Sequence, residues 1–217
     1  MPIKLVIGNK SYSSWSLRPW ILLAHLHIPF EEVQLNMYDD KGKKAMRKHS
    51  PTGKVPVIFD GDIQVWESLA IVEYLHEKYP DKNVWPKNKA ARAHARAVSS
   101  EMHAGFQGLR QHCPTNFIRD VRARELTEAA ANDVARLEAL WADTRKRFGK
   151  GGPFLFGKFS AADAMFAPVV NRLHVYDVKV KKDTRAYMDA VRALPAWIAW
   201  HADAEKEKYR NPMYDNI

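Results

Sequence analysis

Between Ser50 and Ala70 the chain carries an order of signals that few folds accommodate. Ser50-Pro-Thr-Gly-Lys-Val-Pro56 leads into a short apolar run, Asp60-Gly61, a second β-rich run, and then Glu67-Ser68. Asp-Gly between two such runs is the strongest short hairpin signal, since the turn needs residues that tolerate positive φ. A helix is predicted to begin at Glu67-Ser68. An X-Pro step admits a cis bond. A cis Val55-Pro56 would turn the N–H and C=O of Val55 outward, where they could pair with another main chain as an added strand does. Glu67 offers a carboxylate to an amine. Ser68 offers a hydroxyl, beside the free N–H groups of a helix start, to a carboxylate. A ligand with a peptide backbone in its middle and an amino acid at one end fits these groups.

The segments around this hairpin divide the chain in two. Strand and helix signals alternate up to Pro80: Ile3 to Ile7, a helix capped by Ser16 with Pro19 in its first turn, Phe30 to Leu35, a Lys-rich segment over 39–48, the hairpin, and the helix Ser68–Lys78. The order β-α-β-α-β-β-α is that of a thioredoxin-like fold. Residues 81–89 read as a linker, and helical periodicity then takes over, about Ala90–Gln111, Arg124–Phe148, Ala161–Val175 and Thr184–Lys206, with Pro195 splitting the last. The expectation is an α+β two-domain chain, with an α/β domain over 1–80 and an all-α bundle over 90–217. Ser160-Ala-Ala-Asp163 is a capping box, with Phe159 as a hydrophobic staple, so Asp163 has a structural task.

Composition closes several alternatives. Of 217 residues, 46% are apolar and 27% charged, an ordinary globular balance rather than a disordered one. The single cysteine, Cys113, rules out an internal disulfide and fits a reducing, cytoplasmic setting. No apolar run reaches the ~20 residues of a membrane span. The net charge is +9, with ten basic residues against nine acidic over 1–80 and 24 against 16 over 81–217. These charges are interleaved along helices and accompany no nucleic-acid motif, so neither nucleic acid nor a membrane is an expected partner. Nine histidines show no metal-ligand spacing, and no metal is expected.

Ser50-Pro-Thr-Gly-Lys-Val-Pro56, Glu67-Ser-Leu-Ala-Ile-Val-Glu-Tyr-Leu75 and Phe159-Ser-Ala-Ala-Asp163, in this order and spacing, resemble the cytosolic glutathione S-transferase family. The resemblance covers nearly the whole chain. Ser13-Ser-Trp-Ser-Leu-Arg18 is similar to the Ser-Ser-Cys-Ser-x-Arg signature of the zeta class, which includes maleylacetoacetate isomerases. Trp15 stands where that class has Cys, and the chain looks closer to a bacterial branch with Ser-Ser-Trp-Ser-Leu-Arg. The resemblance implies a homodimeric, cytoplasmic detoxification enzyme with glutathione as co-substrate and a small hydrophobic electrophile as second substrate. A glutathione-dependent isomerase and a non-catalytic glutathione-binding interaction module are the competing readings.

Such chemistry needs a thiolate. A free thiol near pKa 8.5 is only about 3% ionised at pH 7. A hydroxyl donating to sulfur and a helix N-terminus can both lower that pKa. Matching the zeta signature gives Ser13 as the hydroxyl, while counting back from Arg18 as in theta-class sequences gives Ser14. Tyr12 falls where tyrosine-type members carry theirs, and a plain loop-and-cap role for the serines competes with all three. By resemblance Lys54, Val55, Pro56, Glu67 and Ser68 hold glutathione. Lys41, Lys43 and Lys44 read better as a solvated face. On the first long helix Met102, His103, Phe106, Leu109, Arg110 and Cys113 recur at three- and four-residue spacing. His103, Phe106 and Arg110 from that face are expected in the electrophile pocket, joined, as the resemblance implies, by Tyr12 and Trp15 beside the sulfur. His103 and Arg110 suggest tolerance of a negatively charged or carbonyl-bearing substrate.

Overall fold

The computed structural model describes residues 2–217. A four-stranded sheet is built from β1 (Ile3–Ile7), β2 (Phe30–Gln34), β3 (Val57–Asp60) and β4 (Ile63–Trp66), in the order β2-β1-β3-β4. β1 and β2 are parallel, while β3 runs antiparallel to both β1 and β4. Gly61, with φ 60°, supplies the left-handed residue of the β3–β4 turn. Helices α1 (Ser14–His25), α2 (Asp40–His49) and α3 (Ser68–Lys78) complete this thioredoxin-like half. The Lys-rich segment is thus helical, capped where the Asp39 carboxylate accepts the Gly42 N–H at 2.6 Å.

The second half is helical: α4 (Lys89–Ala104), α5 (Gln107–His112), α6 (Glu128–Phe148), α7 (Ala161–Val175), α8 (Lys182–Arg192), α9 (Pro195–Lys206) and the short α10 (Pro212–Asp215). α7 has the bounds its periodicity predicts, and Pro195 opens α9 at its first turn, where a missing N–H leaves no bond unmade. Three helices differ from expectation. α1 begins three residues earlier than a Ser16 cap allows, because Ser13 is the N-cap and accepts the Ser16 N–H at 3.3 Å. The first long helix stops at Gly105, and Phe106 turns left-handed at φ 60° before α5 begins. α6 starts at Glu128 rather than Arg124, since the chain from Arg122 to Arg124 instead gives its N–H groups to the carbonyls of Val175 and Tyr176.

α7 is the axis of the molecule, buried along nearly its whole length and packed against α1, α4 and α8. Its start is held by Asp163, which is fully buried. One carboxylate oxygen accepts the Leu155 N–H at 3.0 Å, and the other accepts the N–H of Ser160 at 2.9 Å. Burial lifts the Asp163 carboxyl to about 6, and these hydrogen bonds oppose the rise. The two halves are pinned by Lys10, whose ammonium lies 2.9 Å from Glu32 and 2.8 Å from Asp203, between the rings of Trp20 and Trp200. Glu73 of α3 adds a second tie, accepting Arg96 at 2.8 and 2.7 Å and the Trp85 indole N–H at 2.9 Å.

Replacing Asp163 by Ala leaves two buried N–H groups without acceptors, each worth about 1–3 kcal/mol. Chemical denaturation of Asp163→Ala is expected to show a loss of about 3 kcal/mol.

Candidate functional site

Two hollows meet where the halves face each other. The larger, about 610 Å³, is lined by Ser13, Ser14, Trp15 and Tyr12 from the start of α1, by Arg110 and Thr115, by Arg172 of α7, and by Met213 and Tyr214 near the C-terminus. The smaller, about 260 Å³, lies between Val55-Pro56, Glu67-Ser68, Trp66 and His103. Trp15, Lys54 and Val55 line both, so the two form one groove.

At the smaller end the Val55–Pro56 peptide is cis. The Val55 N–H and C=O enter no backbone hydrogen bond among the described residues. Glu67 precedes α3 with φ 68° and ψ 128°, a left-handed conformation that costs a non-glycine residue about 1–3 kcal/mol. That strain holds the exposed Glu67 carboxylate on the rim of the hollow. Ser68, only 1% exposed, has a buried hydroxyl oxygen with no hydrogen-bond partner among the described residues. An orphaned hydroxyl at a helix start, with first-turn N–H groups beside it, is an unfilled acceptor site for an anion. His103 Nε2 stands 3.9 Å from Glu67 Oε2, and its ring meets Trp15 edge-on at 5.1 Å. Burial and the nearby Arg18 charge lower the His103 pKa, which keeps the ring neutral at pH 7.

The hydroxyls at the other end separate clearly. Ser13 donates to Ser16 Oγ at 2.7 Å, and Ser16 Oγ accepts the Gly8 N–H at 3.0 Å, so Ser13 and Ser16 tie α1 to the end of β1. The Tyr12 hydroxyl donates to Asp215 at 2.9 Å and accepts the Asn211 N–H at 3.0 Å. Burial, with Asp215 adding to it, pushes the Tyr12 phenol up to about 12. Ser14 is the first residue of α1 and lines the larger hollow, and its hydroxyl makes no hydrogen bond among the described residues. Of Tyr12, Ser13 and Ser14, it is the one whose hydroxyl is free for a ligand; the Thr115 hydroxyl, across the same hollow, is also without a partner among the described residues.

Of the residues expected in the electrophile pocket, Tyr12, Trp15 and Arg110 line the larger hollow and His103 the smaller. Phe106 does not belong with them. The break at Gly105 turns it into the core, where it is 6% exposed. Cys113 is also buried, and burial pushes its thiol up to about 11, far from a reactive thiolate. Lys54 is exposed and lines both hollows, whereas Lys41, Lys43 and Lys44 lie on the exposed face of α2 and line neither. Arg172, Tyr38 and Tyr214 escaped the sequence reading. Arg172 had one signal, the lone cation in the run Ala161–Leu173, which is apolar apart from Asp163 and Asn171.

A sheet of this topology joined to an all-helical half, with a groove at the junction, defines the class of protein, and comparison with known proteins agrees. Family models described as the glutathione S-transferase N-terminal and C-terminal domains match residues 12–78 and 120–203. The chain is 26% identical to a probable maleylacetoacetate isomerase of Caenorhabditis elegans, covering 91% of this chain and 92% of the relative. It is 27% identical to glutathione S-transferase Z2 of Arabidopsis thaliana, over 87% and 88% of the two chains. A crystal structure of a glutathione transferase homologue from Burkholderia with bound glutathione superposes with a TM-score of 0.73 at 23% identity, covering 95% of this chain and all of the other. The protein belongs to the glutathione S-transferase family.

Because Ser13 caps α1 and Ser14 does not, their alanine variants should part in stability. Thermal unfolding is expected to show Ser13→Ala destabilised by about 1 kcal/mol and Ser14→Ala unchanged.

Proposed function

We propose that this protein is a glutathione transferase that uses the Ser14 hydroxyl and the N-terminus of α1 to hold the sulfur of glutathione as thiolate. The observation that carries the reading is the partnerless Ser68 hydroxyl, buried at the start of α3 in the same groove as Ser14. Ser68 and the first N–H groups of α3 bind the γ-glutamyl carboxylate, and Glu67 takes its amine. Val55 pairs with the cysteinyl main chain through its unspent N–H and C=O. Lys54 flanks the tripeptide. Ser14 then donates to sulfur, and the α1 dipole adds stabilisation of the negative charge. Lowering the thiol pKa by ~2 units takes about 2.7 kcal/mol and makes thiolate the major form at pH 7. The thiol proton passes to solvent, and the thiolate attacks the electrophile in the larger hollow.

The assignment of sulfur to Ser14 departs from the zeta-like count that favours Ser13, because Ser13 is engaged in capping. The same reading carries a thioredoxin-like domain over 1–80, a linker over 81–89 and a helical domain over 90–217 that supplies the electrophile pocket. A cytoplasmic detoxifying role and a homodimer go with it. The relation to the C. elegans isomerase, over 91% of this chain, favours one second reading. The same thiolate would add to a cis double bond, allow rotation about the single bond so formed, and leave again.

An ultraviolet pH titration of glutathione bound to the purified protein tests the proposal. The bound thiol is expected to titrate ~2 units below its free value, and Ser14→Ala should return it to within about half a unit of 8.5. An unshifted thiol would move the reading to the non-catalytic module. Calorimetry should show Ser68→Ala weakening glutathione binding about tenfold, the equivalent of ~1.4 kcal/mol.

A further inference from the structure

The larger hollow is cationic in a way that thiolate chemistry alone does not require. Three guanidiniums converge on it or lie behind it: Arg18, Arg110 and Arg172. None is in an ion pair among the described residues, and no acidic side chain lines the hollow. Asp133 is the acid that faces Arg110, and it spends one oxygen on the Leu109 N–H at 2.9 Å.

Their hydrogen bonds divide them by task. Arg18 is fully buried and gives its Nε to the Met165 carbonyl at 3.1 Å and its Nη1 to the Ser14 carbonyl at 3.3 Å. Arg110 closes the end of α4, with Nε on the Gly105 carbonyl at 2.9 Å and Nη2 on the carbonyls of Met102 and His103. Its Nη1 makes no bond among the described residues. Arg172 gives Nη1 to the carbonyls of Arg110 and Cys113, which leaves its Nε and Nη2 unspent. The two are neighbours, since one donates to the other's carbonyl. Trp15 is clasped between Arg18 and Arg110, at 4.1 and 4.9 Å from the ring centroid. Backbone carbonyls hold these cations in place without neutralising them.

Partly desolvated guanidiniums with free N–H groups, opening on a hollow that no acidic side chain lines and whose Ile217 carboxyl end is held by Arg119, recognise an anion. The hollow's other walls are flat or soft: the indole of Trp15, the rings of Tyr38 and Tyr214, and the side chains of Met37, Met46 and Met213. The geometry points to Arg110 and Arg172 as an anion subsite, and to an electrophile that carries a carboxylate on a planar body laid against Trp15. This inference rests on the transferase reading and names its second substrate. The glycyl carboxylate of glutathione is the other source of such an anion, and the experiment separates the two.

The test uses a matched pair of aryl chlorides, a chloronitrobenzoate and the corresponding chloronitrobenzamide, chlorine para to the carboxyl carbon and nitro beside it. With either, the thiolate attacks the carbon bearing chlorine, a C–S bond forms, the C–Cl bond breaks and chloride leaves. The amide is the more activated aryl chloride, so each kcat/KM is divided by the rate of that compound's uncatalysed reaction with glutathione. On that scale the native protein is expected to favour the carboxylate over the amide by about tenfold or more, the range of a hydrogen bond to a charged group. In Arg172→Gln that ratio should fall to within about threefold of one, and Arg172→Lys, which keeps the charge but not the fork, should restore part of it. A native ratio near one with the amide turned over would overturn the inference, and this arm needs no variant to fold. So would an Arg172→Gln protein whose KM for glutathione rises while the ratio stands, which would assign the arginines to the glycyl carboxylate. Bound glutathione that forms no thiolate would overturn the transferase reading, and this inference with it.

Discussion

A buried guanidinium that has no carboxylate fixes the geometry on which the rest of this protein depends. Arg18 sits on α1 and reaches across to the Met165 carbonyl of α7, while bonding back to the Ser14 carbonyl one turn earlier. Burial lowers its pKa well below the ordinary arginine value, and the charges of Arg110 and Arg172 add to the effect. A cation in that position is tolerable only while its carbonyl partners and the face of Trp15 stay in place. The first turn of α1 therefore cannot rotate without exposing an unpaired buried charge. Ser13, Ser14 and Trp15 ride on that turn, so the axial helix of the second half sets where the first half presents its hydroxyl.

The groove has two ends with different physics. At the Ser68 end the protein stores a buried, unpartnered hydroxyl beside a left-handed glutamate. At the Ser14 end the first-turn serines that sequence comparison treats alike have divided the labour. One is bound into the cap that ties α1 to β1, and its neighbour faces the open space. Caps and ligands compete for the same lone pairs, so the assignment of a catalytic hydroxyl in a serine-rich turn rests on which oxygen the backbone has already taken.

Much of this was legible in the chain beforehand, and the failures have physical causes. The β3–β4 hairpin and α3 follow from Asp60-Gly61 and Glu67-Ser68, where local turn and cap chemistry leaves few choices. α7 could be read to the residue because its capping box and its apolar run agree. The pattern from Met102 to Cys113 continues with helical spacing through Gly105, so periodicity predicts a helix seven residues longer than α4. Periodicity reports which side chains prefer the interior, and Phe106 does go inside, by a left-handed turn rather than by continuing the helix. Several serines, Ser16 among them, can cap α1 by sequence alone, and only the position of Gly8, whose N–H takes the Ser16 oxygen, decides among them. Arg172 and the C-terminal contacts needed the fold itself, since they reach the groove from positions far apart in sequence.

Those contacts also bear on when the site comes into being. Tyr12 is held by Asn211 and Asp215, Asn116 binds Asp215 at 2.9 Å, and Tyr38 stacks on Tyr209 with ring centroids 4.7 Å apart. Met213, Tyr214 and Ile217 form one wall of the larger hollow. A ribosome makes Tyr12 203 positions before Asp215. Until residues 211–217 have been made, the nascent chain therefore owns a hydroxyl, a helix start and a row of arginines, yet lacks the wall that would confine a substrate. Such timing keeps a half-made site open to water until the chain is long enough to close it.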